Sequence, residues 1–128
     1  MEAENRSEIE RVVQLYIDGA REGDASKLRE AFHEDARMFG SLAGTRYDEP
    51  IEELIAMSDG QPADVGGSYK AQIVAMQQVG DAAIVTVEEE GYWGTVSFTD
   101  FFALSSIKDE WKIVNKTFVH TGGEPPAM

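Results

Sequence analysis

Apolar residues recur every three or four positions in the first half of the chain, the spacing that lines one face of a helix. The first such run covers residues 9–20, and Ser7 and Glu10 have the spacing of a capping box at a helix start. Gly23 and Asp24 follow, a pair typical of a helix end and of the N-cap of another helix. The pattern therefore predicts a first helix that begins after Ser7 and ends at Gly23.

A second, shorter helix is predicted over residues 25–32 from its own apolar stripe. Residues 33–39 indicate a polar turn and then a short strand, and residues 40–48 have the glycines and irregular pattern of a loop. A third helix is predicted to begin near residues 48–50, because proline is tolerated in a first helical turn, and to end by Gly60.

Beyond Tyr69 the pattern changes to alternation with a period of two, which is typical of half-buried strands. Four long strands joined by short turns are predicted over residues 69–79, 82–92, 95–107 and 111–120. Three helices followed by an unbroken run of strands predict an α+β fold in which the helices pack on one face of an antiparallel sheet. We expect residues 1–121 to form a single domain and residues 122–128 to form a flexible tail.

Strand alternation also divides the side chains between two sheet faces, provided that a two-residue turn near 108–110 joins the last two strands. The face expected to cover the helices carries Ala83, Val85, Val87, Glu89, Phe98, Asp100, Phe102, Leu104, Trp111, Ile113, Asn115, Thr117 and Val119. The opposite face carries Phe101, Ala103, Ile107, Lys112, Val114, Lys116, Phe118 and His120. A three-residue turn would exchange the two faces.

Asp100 is unusual because it is a carboxyl group between Phe98 and Phe102 on the face expected to be buried. A buried carboxyl group needs either hydrogen-bonding partners or a proton. Asn115 and Thr117 lie across the predicted strand pair and are candidates to supply hydrogen bonds. Asp100 is therefore either a structural residue satisfied by its neighbours or a functional one.

The charge balance restricts the possible partners of the chain. Among its 128 residues, 24 are acidic and 11 are basic, which gives a net charge of −13. Such a chain repels phosphate backbones and anionic lipids, so we expect no nucleic acid and no membrane among its partners. The absence of cysteine removes disulfides, thiolate nucleophiles and the usual structural zinc sites.

Sequence motifs for cofactors are absent as well. The chain has no phosphate-binding glycine loop, and its two histidines lack the spacing of metal ligands, so we expect neither a cofactor nor a metal. The first residues have no apolar segment typical of a signal peptide, and no apolar run reaches the ~18 residues of a membrane span. We therefore expect a cytoplasmic protein.

Several segments together resemble the nuclear transport factor 2-like superfamily, and in particular its branch called "putative lumazine-binding". They are Tyr16-Ile17-Asp18-Gly19, Gly23-Asp24, Ala31-Phe32-His33-Glu34-Asp35-Ala36 and the closing segment from Phe98 to Phe118. The resemblance implies a cystatin-like cone, in which three N-terminal helices pack on the concave face of a strongly curved antiparallel sheet. It also implies a mostly apolar pocket between helices and sheet. A homodimer through the outer sheet face is common among these proteins.

The first predicted helix is also similar to that of the ketosteroid isomerases, a partial resemblance. It implies that Tyr16 takes the place of the oxyanion-hole tyrosine and that Asp100 takes the place of the protonated aspartic acid. The position of the isomerase general base is occupied here by Gly40, which cannot abstract a proton. Strand parity makes Glu89 the best placed alternative base, with His33 and His120 behind it.

The remaining candidates for the pocket wall are mainly apolar and aromatic. They are Phe32, Phe39, Val87, Phe98, Phe102, Trp111, Asn115 and Thr117.

Three functions are compatible with these residues. The first is an isomerase, lyase or cyclase for a small hydrophobic carbonyl compound, with Tyr16 and Asp100 as donors to an enolate-like oxygen. The second is a non-catalytic binder of a small aromatic or planar ligand, and the third is a dimerisation or scaffold module with a vestigial pocket. Phe101, Ile107, Val114 and Phe118 on the predicted outer face favour a symmetric homodimer.

Overall fold

A computed structural model describes residues 2–126 of the chain, and the side chains of residues 5–126. This part of the chain contains three helices and six strands. The helices are α1 (Glu2–Glu22), α2 (Ala25–Ala31) and α3 (Glu52–Ser58). The strands are β1 (Phe32–Leu42), β2 (Thr45–Pro50), β3 (Lys70–Val79), β4 (Ala82–Tyr92), β5 (Val96–Ile107) and β6 (Glu110–Gly122).

Helix α1 begins before the predicted capping box. Ser7 lies inside the helix and not at its start, so the capping-box prediction is wrong. Arg6 and Glu10 instead form an ion pair of 3.4 Å, one helical turn apart. The N-cap of α2 is confirmed, because the Asp24 carboxylate accepts hydrogen bonds from the backbone N–H groups of Ser26 and Lys27.

The region predicted as a loop before α3 forms the hairpin of β1 and β2. A two-residue turn joins the strands at Ala43 and Gly44, which both have positive φ angles, the backbone geometry that hairpin turns favour. Pro50 ends β2 instead of beginning α3, and the segment predicted as a polar turn, 33–36, is the irregular start of β1. The largely exposed side chains of β2 explain why no alternation indicated this strand.

The sheet has the strand order β2-β1-β6-β5-β4-β3 and is curved. The four long strands β3 to β6 are antiparallel, as predicted, and so are β1 and β2. The parallel pairing of β1 with β6 differs from the predicted antiparallel sheet. The strands β3 to β6 lie close to their predicted bounds.

The core lies between α1 and one face of the sheet, here called the inner face. Helix α1 contributes Ile9, Val12, Val13, Tyr16 and Ile17, and the sheet contributes Val85, Val87, Phe102, Leu104 and Ile113. Burying these side chains removes apolar surface from water and stabilises the fold by about 25 cal/mol per Å². The opposite face of the sheet is here called the outer face.

Strand β6 contains a bulge that the sequence did not reveal. The predicted two-residue turn is present, and Leu104 pairs with Ile113 in the predicted register. Beyond this pair, however, Ala103 pairs with Asn115, which leaves Val114 as an extra residue without a partner. A bulge of this kind reverses the faces of all the residues that follow it.

Because of the bulge, the faces predicted for the second half of β6 are reversed in the structure. Lys116 and Phe118 are buried on the inner face, whereas Thr117 and Val119 are exposed on the outer face. Asn115 is half-buried on the outer face, where it accepts a hydrogen bond from the Thr117 hydroxyl. The faces predicted for β4 and β5 are confirmed, because Val85 pairs with Phe102 in the expected register.

No helix within residues 2–126 has both the length and the apolar character needed to cross a membrane. Near the end of the described chain, the Thr95 hydroxyl donates a hydrogen bond of 2.6 Å to the Glu124 carbonyl. The flexible tail and the cytoplasmic location stay predictions, and residues 127 and 128 of that tail lie outside the described part.

Gly40 lies in β1 at a point where a side chain cannot fit. Its φ angle is +154°, and a Cβ atom would come within 2.5 Å of the Phe118 carbonyl oxygen on the adjacent strand β6. The position that corresponds to the isomerase base is therefore closed to any larger residue.

We expect Gly40→Ala to lower the free energy of unfolding by about 2 kcal/mol or more, because it combines a backbone clash with an unfavourable φ. The control is Gly44→Ala at the hairpin tip, where φ is also positive but no atom lies within 4 Å of the added Cβ. Its expected cost is about 1 kcal/mol, from backbone conformation alone. Urea denaturation measures both values, and equal losses would contradict the steric argument.

Candidate functional site

One helix, three strands and the segment before β3 bring five buried side chains with polar groups together at one place. Tyr16 comes from α1, Glu89 from β4, Asp100 from β5 and Lys116 from β6, and Tyr69 lies just before β3. The exposed fractions of Glu89, Asp100 and Lys116 are 3%, 0% and 5%. These five residues are called the polar cluster below.

Two tyrosine hydroxyl groups converge on the Glu89 carboxyl group. The Tyr69 hydroxyl donates a hydrogen bond of 2.5 Å to Glu89 Oε2, and the Tyr16 hydroxyl donates one of 3.1 Å to the same oxygen. The Tyr16 hydroxyl also lies 3.5 Å from Asp100 Oδ2. Tyr16 therefore connects the two carboxyl groups.

The environment of Glu89 favours its protonated form. Burial raises the pKa of Glu89 well above its ordinary value, and the charge of Asp100 and a hydrogen bond with it act in the same direction. The Lys116 ammonium and the Tyr69 hydroxyl oppose this pKa shift but contribute less. Burial together with the nearby charge of Glu89 also raises the pKa values of Tyr16 and Tyr69, which keeps both hydroxyl groups protonated as donors.

Lys116 lies between a carboxyl group and aromatic rings. Its Nζ atom is 3.5 Å from Asp100 Oδ1, an ion pair with almost no solvent contact. The same atom lies 4.6 Å from the ring centre of Phe118 and just under 6 Å from those of Tyr16 and Phe98, at 5.8 and 5.9 Å. Aromatic faces attract a desolvated ammonium and offset part of its loss of hydration.

A mostly apolar pocket of about 70 Å³ reaches Lys116. Its wall consists of Met38, Leu42, Tyr47, Leu54, Met57, Tyr92, Trp93, Phe98, Lys116 and Phe118. Since roughly 10–15 Å³ of such space holds one water molecule, the pocket accommodates a ligand of a few heavy atoms. Lys116 is the one charged side chain on this wall, so it is the charged group that a ligand in the pocket can contact.

The backbone of Trp93 is held in an uncommon conformation beside the pocket. Its φ angle is +54°, in the left-handed region that residues other than glycine rarely adopt. The Trp93 N–H donates a hydrogen bond of 2.8 Å to the Ala63 carbonyl, which fixes this conformation. Non-glycine residues in such conformations cluster at ligand-binding sites.

The structure brings several of the predicted site residues together. Tyr16, Glu89 and Asp100 meet in the polar cluster, and Phe98 lies on the pocket wall. Phe32 and Phe102 pack against the Tyr16 ring, with ring-centre distances of 5.9 and 4.9 Å. Their contribution is to fix the tyrosine ring rather than to line the pocket.

Two buried candidates lie away from the wall. Val87 is a core residue that pairs with Asp100, and Trp111 is buried near the start of β6. Neither is among the residues that line the pocket.

Other predicted residues lie elsewhere in the fold. Asn115 and Thr117 are on the outer face because of the bulge, so their placement in the pocket is corrected. Phe39 follows the pocket residue Met38 along β1 and is not among the residues that line the pocket. The Arg37 guanidinium lies 5.9 Å from the centre of the Phe39 ring. His33 accepts a hydrogen bond from the backbone N–H of Asp35 at the irregular start of β1, outside the polar cluster.

Sequence reasoning missed Tyr69 and Lys116. Tyr69 begins a predicted strand, and its signal is its parity with Ala71, which pairs with Glu89. A signal for Lys116 is present in β6, because the large apolar residues occupy odd positions up to Ile113 and an even position at Phe118. Such a change of phase within one strand indicates a bulge.

Among residues 2–126, no three histidine, aspartate or glutamate side chains are grouped as a metal site. The polar cluster instead offers buried proton donors and acceptors in contact with one another and one amine, Lys116, on the wall of a small apolar pocket. Such groups can move protons to and from a bound molecule.

A family model described as "Putative lumazine-binding" matches residues 4–119. The chain belongs to this family. The match confirms the resemblance on which the fold was predicted, and solved structures of nuclear transport factor 2-like proteins agree with it.

Two similar structures are nuclear transport factor 2-like proteins of unknown function. The one from Shewanella baltica OS155 has a TM-score of 0.85 at 26% identity, over 96% of this chain and 98% of that one. The one from Methylobacillus flagellatus KT has a TM-score of 0.85 at 28% identity, over 93% and 94% of the two chains. The fold is therefore shared over nearly the whole chain.

One relative has a name that refers to an activity. A protein named aldolase FrzH, from Cladobotryum sp, is 28% identical over 103 residues, which is 80% of this chain and 81% of that protein. A ketosteroid isomerase-like protein from Erwinia carotovora atroseptica SCRI1043 has a TM-score of 0.69 at 16% identity, over 91% of this chain and 95% of that one. The second likeness shows the fold alone.

The raised pKa of Glu89 predicts how stability depends on pH. The folded state binds this proton more tightly than the unfolded chain, so the resulting stabilisation is present at low pH and is lost as pH rises through the folded-state pKa. Glu89→Gln is neutral at every pH and lacks this dependence. We therefore expect the wild type to lose stability relative to Glu89→Gln between pH 5 and pH 9, measured by urea denaturation.

The matched control is Glu88→Gln, the same change at the exposed neighbouring position on the outer face. Its stability should parallel that of the wild type across the pH range. Parallel curves for the wild type and Glu89→Gln would show that Glu89 does not hold the proton.

Proposed function

We propose that the protein acts on a small hydrophobic carbonyl compound by moving a proton at the carbon next to the carbonyl group, as an isomerase, lyase or cyclase. The observation that carries this proposal is a buried cluster of proton donors and acceptors that is joined to an apolar pocket through Lys116, which lies on the pocket wall. The reaction needs a donor for the developing enolate oxygen and a base for the carbon-bound proton, and the cluster supplies both kinds of group.

In this proposal Tyr16 keeps the role that the sequence resemblance implies, as a hydroxyl donor to the enolate oxygen. The two carboxyl groups exchange the roles expected from the sequence. Glu89 is the protonated acid, supported by its raised pKa, and Asp100 is the carboxylate that accepts the proton from carbon, supported by its ion pair with Lys116. The closed position at Gly40 excludes a base at the isomerase position, so the base comes from the cluster.

The aldolase name of the relative from Cladobotryum supports the same class of chemistry. An aldolase makes or breaks a carbon–carbon bond next to a carbonyl group, and this also requires an enolate or an equivalent intermediate. At 28% identity the likeness supports the kind of intermediate and not the substrate.

We expect the wild type to accelerate exchange of the α-protons of butanone and cyclohexanone in D2O, followed by NMR. Glu89→Gln should slow this exchange about 10²-fold, since general acid–base groups typically contribute 10²- to 10⁴-fold. Glu88→Gln is the control and should leave the rate unchanged. Exchange no faster than in buffer with any ketone of this size would contradict the enzymatic proposal.

A second candidate function is a non-catalytic binder of a small aromatic or planar ligand. Five rings on the pocket wall favour it, from Tyr47, Tyr92, Trp93, Phe98 and Phe118. The family description names lumazine, a planar ring system, as a ligand of this class. Thermal stabilisation by a small aromatic compound without proton exchange would favour the binder, and the absence of both effects would favour a scaffold module.

We also propose a homodimer through the outer face. Ile84, Phe101 and Val119 lie there with exposed fractions of 49%, 43% and 49%, which is much apolar surface for a sheet that faces water. Phe118, which was expected on this face, lies inside and does not contribute.

Light scattering at micromolar concentration should give twice the 14.1 kDa mass of the chain. Phe101→Asp should give a monomer, because a charge would lie in the centre of the interface. The control is Val79→Asp, at the β3–β4 turn and 73% exposed, which should remain dimeric. A monomer mass for the wild type would contradict the proposal.

A further inference from the structure

The position of Lys116 is not explained by stability. A buried ammonium needs hydrogen bonds and opposite charge to replace its water, and apolar residues of similar volume often stabilise a core as well or better. The Lys116 side chain is 6% exposed, and its ion-pair contact with Asp100 Oδ1 is long, at 3.5 Å. That oxygen makes no hydrogen bond, and the other close neighbours of Nζ are aromatic rings.

The bulge in β6 places this amine on the pocket wall. If β6 continued beyond Ile113 in unbroken register, with Val114 paired in the ladder, Lys116 would lie on the outer face in contact with water. Bulges near functional sites commonly re-aim a side chain in this way. The other four lysines are half-buried or exposed, so among residues 5–126 Lys116 is the one lysine whose amine is held in an apolar pocket. They are Lys27, Lys70, Lys108 and Lys112.

We infer that Lys116 is a nucleophile that binds a small ketone or aldehyde covalently, as an iminium. The inference rests on the proposed carbonyl chemistry and names the group that holds the carbonyl carbon. A neutral carbonyl compound also fits the charges of the site better than an anion does, because the Asp100 carboxyl group lies 3.5 Å from Nζ and the Tyr16 hydroxyl connects it to a second carboxyl group, that of Glu89.

The groups around Nζ can supply and accept the protons that iminium formation requires. Asp100 accepts one proton from the ammonium, and the nitrogen lone pair then forms a bond to the carbonyl carbon. The carbonyl π electrons move to oxygen, which takes a proton from the acid pair of Glu89 and Asp100, and the nitrogen loses a second proton to the same pair. The hydroxyl group of this adduct leaves as water with a further proton, while the nitrogen lone pair forms the C=N bond.

The net change is a carbonyl compound and an ammonium converted to an iminium and one water molecule, with no oxidant or reductant. The positive nitrogen then acidifies the neighbouring C–H bond, so that a carboxylate of the cluster can remove this proton and form an enamine. With a nucleophilic lysine, a weaker base is therefore sufficient to remove the proton from carbon. This is relevant because the position of the isomerase base is closed here.

Reductive trapping tests the inference without requiring turnover. The full-length protein is incubated with butanone and sodium cyanoborohydride, whose hydride adds to the iminium carbon and leaves a stable secondary amine. We expect intact-mass spectrometry to show one adduct per chain and peptide mapping to place it on Lys116. A ketone is used because surface lysines react with it slowly.

The decisive variant is Lys116→Arg, which keeps the positive charge beside Asp100 but cannot form an iminium under these conditions. It should lose the adduct, whereas Lys112→Arg on the same strand should keep it. An adduct distributed over several lysines, or retained in Lys116→Arg, would overturn the inference. If Lys116→Arg fails to fold, the peptide map of the wild type decides, because an unmodified Lys116 overturns the inference by itself.

The two proposals fail in different ways. Trapping at Lys116 without any α-proton exchange would support covalent carbonyl binding and contradict the proposed catalysis. Exchange that persists in folded Lys116→Arg, together with no trapping in the wild type, would support catalysis through an enolate and overturn the role of Lys116.

Discussion

The contact between Lys116 and Asp100 is the constraint on which the site depends. Neither charge could remain buried alone, because each would lose its hydration without compensation. The contact exists because one unpaired residue, Val114, changes the phase of β6 and moves Lys116 from the outer to the inner face. The irregularity of one strand thus decides whether the cluster contains an amine at all.

The other members of the cluster follow from this pair. Burial raises the pKa of Glu89, and the carboxylate that is fixed beside the ammonium acts in the same direction, so Glu89 retains its proton more readily. Two tyrosine hydroxyl groups then satisfy its oxygens. The charges are arranged so that proton donors and acceptors lie in contact within a shell of aromatic rings, where water does not compete with them.

The sequence predicted much of the fold, because its strongest signals are local. The apolar stripe of α1, the N-cap at Asp24 and the alternation along β3 to β5 depend on neighbouring residues and were readable. The parallel pairing of β1 with β6 was not, since it joins residues about 80 positions apart, such as Phe32 and Ile113.

The site was predicted in part for the same reason. Glu89 and Asp100 could be placed on one sheet face by counting along regular strands, and the isomerase resemblance implied Tyr16 beside them. The three residues do meet. Lys116 could not be placed by counting, because counting assumes an unbroken register, and the bulge changes side-chain direction without changing the type of residue. The same bulge explains why Asn115 and Thr117 were predicted on the inner face but lie on the outer face.

The strand order has a consequence for how the molecule assembles. The hairpin of β1 and β2 and the meander of β3 to β5 can each form from nearby residues, but they are separate sheets until β6 lies between them. Closing this gap requires long-range contacts, whose loop-closure entropy makes them slow to form. Lys116 lies on β6, the strand that joins the two parts of the sheet. A partly folded chain without β6 therefore has no pocket and no reactive amine inside it, so the chemistry appears only in the completed fold.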